Sequence, residues 1–208
     1  LATAAIAAVF VAVLWRRRSE QGALTLLVLI AGAGIWTFAE AAELGCQTFE
    51  GRMFWTHVRY VGIVTVPFAW FIFAFQFTLG RHRSVPWFLK VLAVLPIMNL
   101  AFVWTNGRHG LVWRKLWLDT SGPVTTLATV RGPLYWVAVS CGYAFVLVGT
   151  ALLVLAALRS HRTYRRQAFF LLVGALAPLS ANLVFQLRLS PLPYMDLTPL
   201  SFGFAAIV

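Results

Sequence analysis

Glu40, Glu43 and Arg59 stand out because they are ionisable groups in or beside long apolar runs. A charge placed in such a run is costly, so it needs a partner or a purpose. Trp36, Glu40 and Glu43 follow i, i+4, i+7 spacing, which puts an indole and two carboxylates on one helix face. Glu40 and Arg59 each lie about five residues inside the same end of successive apolar runs, roughly 7–8 Å deep by helical rise. Equal depth on neighbouring antiparallel helices predicts a Glu40–Arg59 ion pair. The pair would either form the floor of a polar pocket that responds to a ligand or fix helix register. Glu43, nearer the end of its run, either lines the same pocket with Trp36 and Glu40 as a candidate ligand-binding residue or is simply solvated. The chemistry on offer is charge and hydrogen-bond recognition rather than bond making.

Other residues extend the polar set. Trp136 and Tyr143 are seven apart and share a face, although Tyr135 and Trp136 fit an interfacial aromatic belt equally well. Asn182 lies about one helical turn inside the end of its run. Asp196, in Asp196-Leu197-Thr198-Pro199, suits a helix N-cap, and Pro199 then falls in the first turn, where it removes no needed N–H. From that position Asp196 can still line a pocket. No His-Glu-x-x-His or Cys-x-x-Cys spacing occurs, and His57 and His109 are far apart, so neither a metal nor a cofactor is expected. No phosphate loop, nucleophile elbow or kinase signature is present, so this segment is not expected to be an enzyme. Cys46 and Cys141 read as two unpaired thiols rather than a disulfide framework.

The elements that must position these residues are apolar runs. The chain has 208 residues, of which 61% are hydrophobic and 11% charged. A soluble domain carries about 25% charged residues. The runs exceed the ~18 residues that mark a spanning helix, and they are continuous rather than alternating, which argues against a β-barrel. The expected fold is an all-α membrane protein, a seven-transmembrane helix bundle. Its spans are roughly 1–14, 22–45, 54–79, 87–104, 133–158, 167–187 and 196–208, a single domain over 1–208. The chain opens on Leu1 and stops within an apolar run at Val208, which reads as an excerpt of a longer chain.

Basic residues set the expected orientation. Arg16, Arg17, Arg18, Arg81, Arg83, Lys90, Arg159, Arg162, Arg165 and Arg166 fall on one side. Arg52, Arg59, Arg108, Arg114, Lys115, Arg131 and Arg188 fall on the other, four of them in or beside the long 105–132 loop, where charge counts least. All acids but Glu20 share that second side. The N-terminus is therefore expected outside and the C-terminus in the cytoplasm, in a multi-pass protein of the cell membrane. The net charge of +11 follows from these caps facing lipid head groups and does not point to nucleic acid. In the outer 105–132 loop, two β-prone runs flank Asp119-Thr120-Ser121-Gly122-Pro123. This predicts either a short extracellular β-hairpin lying over the bundle between helices 4 and 5 or an irregular loop anchored by Trp113 and Trp117. Pro67, Pro96 and Pro178 fall mid-span and predict bends, acting as hinges or as static kinks.

In this order the landmarks resemble the N-terminal seven-transmembrane sensor region of histidine kinases. They are Trp36 with Glu43-Leu44; Tyr60-x-Gly62 with Pro67 and Trp70; Pro96; and Trp104-Thr105-Asn106 with His109. They continue with Gly132-Pro133, Tyr135-Trp136 and Tyr143; Arg166-Gln167, Gly174, Pro178 and Asn182; and Asp196-Leu197-Thr198-Pro199-Leu200. The resemblance covers nearly the whole chain and adds Tyr60 and Thr198 to the candidate ligand-binding residues. It implies an input module fused to a cytoplasmic kinase, or sometimes another output domain, acting as a homodimer. It supplies no firm stimulus, which stays open between a small molecule and a membrane state. A membrane transporter or permease-like protein is the alternative function. Against it, no internal repeat is apparent and the intramembrane charges avoid the midplane. A retinal protein would need a lysine in its last span, whereas Lys90 and Lys115 fall in loops.

Overall fold

The computed structural model describes residues 2–16, 18–19, 22–79, 86–121, 125–159, 162–187, 189 and 196–205. Arg17, Glu20, Arg81, Arg83 and Arg188 of the charge count, Gly122 and Pro123 of the turn, and residues 206–208 of the last expected span lie outside them.

In chain order the elements are α1 (Ala2–Arg16), α2 (Ala23–Gly45), α3 (Phe49–Leu79), α4 (Trp87–Leu92), α5 (Val94–Trp104) and α6 (Asn106–His109). They continue with β1 (Trp113–Asp119), β2 (Thr126–Arg131), α7 (Pro133–Arg159), α8 (Arg162–Gln186) and α9 (Thr198–Ala205). Every expected span thus has a helical counterpart. Among the described residues, five helical stretches are long and apolar enough to cross a membrane: Ala23–Gly45, Phe49–Thr78, Trp87–Trp104, Pro133–Leu158 and Ala168–Gln186. α1 is apolar but shorter. Outward-facing side chains such as Val9, Ile97, Leu147 and Leu176 are exposed. An apolar belt of this kind suits lipid, not water.

Three features differ from expectation, the first being that α8 begins at Arg162 rather than near residue 167. α3 begins at Phe49 rather than near residue 54, because Thr48 starts it: the Thr48 hydroxyl accepts the Gly51 N–H at 3.2 Å, and its carbonyl accepts the Arg52 N–H. The fourth span is broken at Ala93 into α4 and α5. Pro96 lacks the N–H that would bond the Leu92 carbonyl, and its ring crowds that carbonyl, so the break falls three to four residues before it. Pro67 and Pro178 lie inside unbroken helices.

α3 is the central helix, packed on α2, α5 and α7. It meets α2 at a very close approach: a Cβ at Gly62 would lie 2.5 Å from the Gly32 carbonyl oxygen and 2.7 Å from Trp36 Cβ. Toward the other end of α3, Trp70, Phe73, Ala74 and Leu153 form a buried cluster. There Trp70 Nε1 donates to Thr150 Oγ1 at 3.3 Å, tying α3 to α7.

β1 and β2 form an antiparallel hairpin, with an irregularity between Trp113 and Lys115. At its tip the Ser121 hydroxyl and amide both donate to Asp119, holding that carboxyl below the usual carboxylate range. At its base, Gly110 (φ 62°) ends α6 in the left-handed conformation and turns the chain into the hairpin. Trp113 then packs edge-on against Tyr60 of α3 in a cluster with Val103 and Val112. Buried Asn106 is the strut: its Oδ1 accepts the Val112 and Trp113 amides at 2.9 and 3.0 Å, and its Nδ2 donates to the Trp113 carbonyl at 3.0 Å. Asn106→Ala leaves all three backbone groups unsatisfied and is expected to cost about 2–4 kcal/mol. Faster protease cleavage within residues 111–131, with the helices still protected, is the expected signature; unchanged cleavage would show that the base is held by other contacts.

Candidate functional site

The ends of α2, α3, α8 and α9 nearest the hairpin converge on one cavity of about 1420 Å³. Nine of the ten candidate residues line it: Trp36, Glu40, Glu43, Arg59, Tyr60, Tyr143, Asn182, Asp196 and Thr198. Trp136 does not. Its ring is half exposed, 5.3 Å from the Arg131 guanidinium and edge-on to Tyr135. Tyr135 turns inward in its place and donates its hydroxyl to Gln186 Oε1 at 3.0 Å. The position of Trp136 therefore matches the aromatic-belt alternative, and the Arg131 guanidinium lies over both rings, 4.7 Å from Tyr135 and 5.3 Å from Trp136.

The expected Glu40–Arg59 pair is replaced by another. Arg59 Nη1 lies 3.1 Å from Glu43 Oε2, an ion pair by distance whose geometry is not that of an aligned hydrogen bond. Arginine's long side chain reaches one helical turn along the facing helix, and the Glu40 carboxylate is engaged elsewhere, accepting the Asp196 backbone N–H at 3.2 Å. Glu43 is accordingly buried rather than solvated, with 6% of the residue exposed.

Asp196 precedes α9 and caps it. Its Oδ1 accepts the Thr198 N–H at 2.9 Å and the Thr198 hydroxyl at 2.5 Å. Thr198 Oγ1 accepts from Asn182 Nδ2 at 3.2 Å, and Asn182 Oδ1 accepts the Tyr143 hydroxyl at 2.8 Å. One polar row thus runs from α7 through α8 to the start of α9, and the Asp196 amide carries it on to Glu40 of α2. Trp36 adds an apolar link to α9, edge-on to Phe202 with ring centroids 5.4 Å apart.

Arg52 and Thr56 belong to the site but are absent from the sequence-derived set. They are 1% and 2% exposed, and with Arg59 they sit at i, i+4 and i+7 on the cavity face of α3. Among the described residues, no hydrogen bond is made by Arg52 Nε and Nη1, Arg59 Nε, Thr56 Oγ1, Glu40 Oε2 or Trp36 Nε1. Buried polar atoms are normally satisfied, so this many around one cavity mark a site built for a polar guest. No group of three or more His, Cys, Asp and Glu residues suited to a metal occurs among the described residues.

The cavity changes character along its length. Near the hairpin its walls carry Glu40 and Glu43 from α2, Arg52 and Arg59 from α3, and Asn182 and Gln186 from α8. Toward the other end the same helices present Leu26 and Leu29, Trp70 and Phe73, and Phe170 and Leu171. Three helices therefore turn from polar to apolar in the same direction.

A polytopic helical membrane domain with a hairpin-capped, polar-ended cavity is the class this architecture defines. A family model described as the N-terminal 7TM region of histidine kinase matches residues 1–208, and the chain belongs to that family. It is a membrane-embedded sensor region and not the catalytic part of such a kinase. A comparison with curated proteins finds no match.

Proposed function

We propose that this chain is the sensory input module of a signal-transduction histidine kinase in a two-component system. Its seven helical segments cross the plasma membrane with the N-terminus outside and the C-terminus in the cytoplasm. The hairpin end faces outward and receives an extracellular or membrane-borne stimulus. The stimulus biases two arrangements of the bundle, and α9 passes the difference to a cytoplasmic output domain in the same chain, within a homodimer. A stimulus can do this only by binding the two arrangements unequally. The observation that carries the reading is the polar row Tyr143–Asn182–Thr198–Asp196, which ties the start of α9 to the cavity wall.

The test is autophosphorylation of the full-length protein in membranes. Asn182→Leu cuts the row at its centre and is expected to change the phosphorylation level about fivefold or more, within the usual range of inter-site coupling. A level equal to wild type, with equal expression, would remove α9 and this row from the signal path.

A further inference from the structure

We propose that the cavity binds a single-chain amphiphile with a zwitterionic head: the head sits among Arg52, Glu40 and Trp36, and the acyl chain runs down the bundle toward Phe73. This rests on the sensory reading and names its ligand class.

Two observations argue it independently. The first is the head site. Arg52 offers two unpartnered donors and Glu40 one unpartnered acceptor, and both side chains are more than nine-tenths buried. Arg59 is already paired with Glu43. A guest that satisfies both atoms supplies an anionic acceptor to Arg52 and a cationic donor to Glu40. The lining carries Glu40, Glu43 and Asp196 against Arg52 and Arg59, so a purely anionic head would add to a surplus of acid, and a purely cationic one would leave Arg52 without an acceptor; a buried, unpaired charge is strongly unfavourable. The second observation is the shape and grading of the cavity. On α2 its lining extends from Leu44 to Leu26, about 27 Å by helical rise, polar at one end and apolar beyond Trp36. A compact polar solute would leave that apolar length unused. An extended hydrocarbon chain fills it and gains about 0.8 kcal/mol per buried CH₂.

The probe is palmitoyl lysophosphatidylethanolamine, whose phosphate suits Arg52 and whose ammonium suits Glu40. Equilibrium binding is measured on the full-length protein in phosphatidylcholine nanodiscs, with phosphoethanolamine as the head alone and palmitate as a chain without the cationic donor. Saturable binding of the lysolipid is expected, with much weaker binding of either fragment. Arg52→Gln and Glu40→Gln are each expected to weaken it about tenfold or more. Ala33→Phe narrows the apolar length from a lining position without touching a polar group, and is expected to shift the preference to shorter chains. That shift is a change of specificity that misfolding would not produce. Wild-type affinity in both polar variants, displacement by phosphoethanolamine at equal concentration, or an unaltered chain-length preference in Ala33→Phe would overturn the proposal. Autophosphorylation of the same samples separates the two ideas. Arg52-dependent binding without a phosphorylation change keeps the ligand site and removes the sensory reading. Phosphorylation that responds to Asn182→Leu while no lysolipid binds removes the ligand class alone.

Discussion

Gly62→Ala is expected to destabilise the bundle by about 2 kcal/mol or more, although alanine is the better helix former by about 1 kcal/mol. The added methyl would stand 2.5 Å from the Gly32 carbonyl oxygen and 2.8 Å from the Trp36 amide nitrogen, both backbone atoms that cannot rotate away. α2 and α3 must separate, and Trp36 must move with α2. Because Trp36 also touches Phe202, the displacement reaches α9. Reversible unfolding in mixed micelles measures the cost. Gly45→Ala is the control: nothing lies within 4 Å of a Cβ there, so it should be neutral or slightly stabilising. Equal stability of the two variants would show that the close approach at Gly62 relaxes without penalty.

Glu43→Gln is expected to cost about 2 kcal/mol, because it takes the paired carboxylate from the Arg59 guanidinium, whose side chain is 23% exposed. Replacing both residues, as Glu43→Gln with Arg59→Met, should recover much of that loss, since the unpaired charge is gone. Glu40→Gln should be far milder: the amide oxygen can still accept the Asp196 N–H, and no cation is left alone. A double-mutant cycle on the same unfolding assay gives the coupling. Additive costs for Glu43 and Arg59, or a larger penalty at Glu40, would return the pairing to Glu40.

The contrast between Glu40 and Glu43 shows where sequence reading reached its limit. Apolar run length located every long helix but not the short α6 or the break between α4 and α5, because an unsatisfied backbone in lipid leaves a spanning segment few alternatives to the helix. It also placed Glu40, Arg59, Asn182 and Asp196 near one end of the bundle, and nine of ten candidates do line the cavity. Depth along a helix is legible in a sequence; the direction in which a long side chain reaches is not. Arg59 therefore takes the partner one turn away from its own level. Arg52 escaped for a related reason. Between Glu50 and the third expected span it looked like a loop cation, although its spacing to Thr56 and Arg59 already put it on their helix face. Trp136 shares that face rule with Tyr143, yet it is its neighbour Tyr135 that enters the cavity and bonds Gln186 of α8. That contact joins two helices, and periodicity within one element cannot register it.

Hydrogen bonds have direction as well as length, and the row entering α9 has only one. Tyr143 gives to Asn182, Asn182 to Thr198, and Thr198 to Asp196, whose carboxylate can only receive. The terminal acceptor thereby dictates the sense of every link before it, including which way the Asn182 amide is turned. An aspartate at position 182 would present acceptors to the Thr198 hydroxyl from both sides, and its single proton cannot serve both. The row is therefore polarised from α7 toward α9, and no single link can be reversed unless the Asp196 carboxylate takes up a proton.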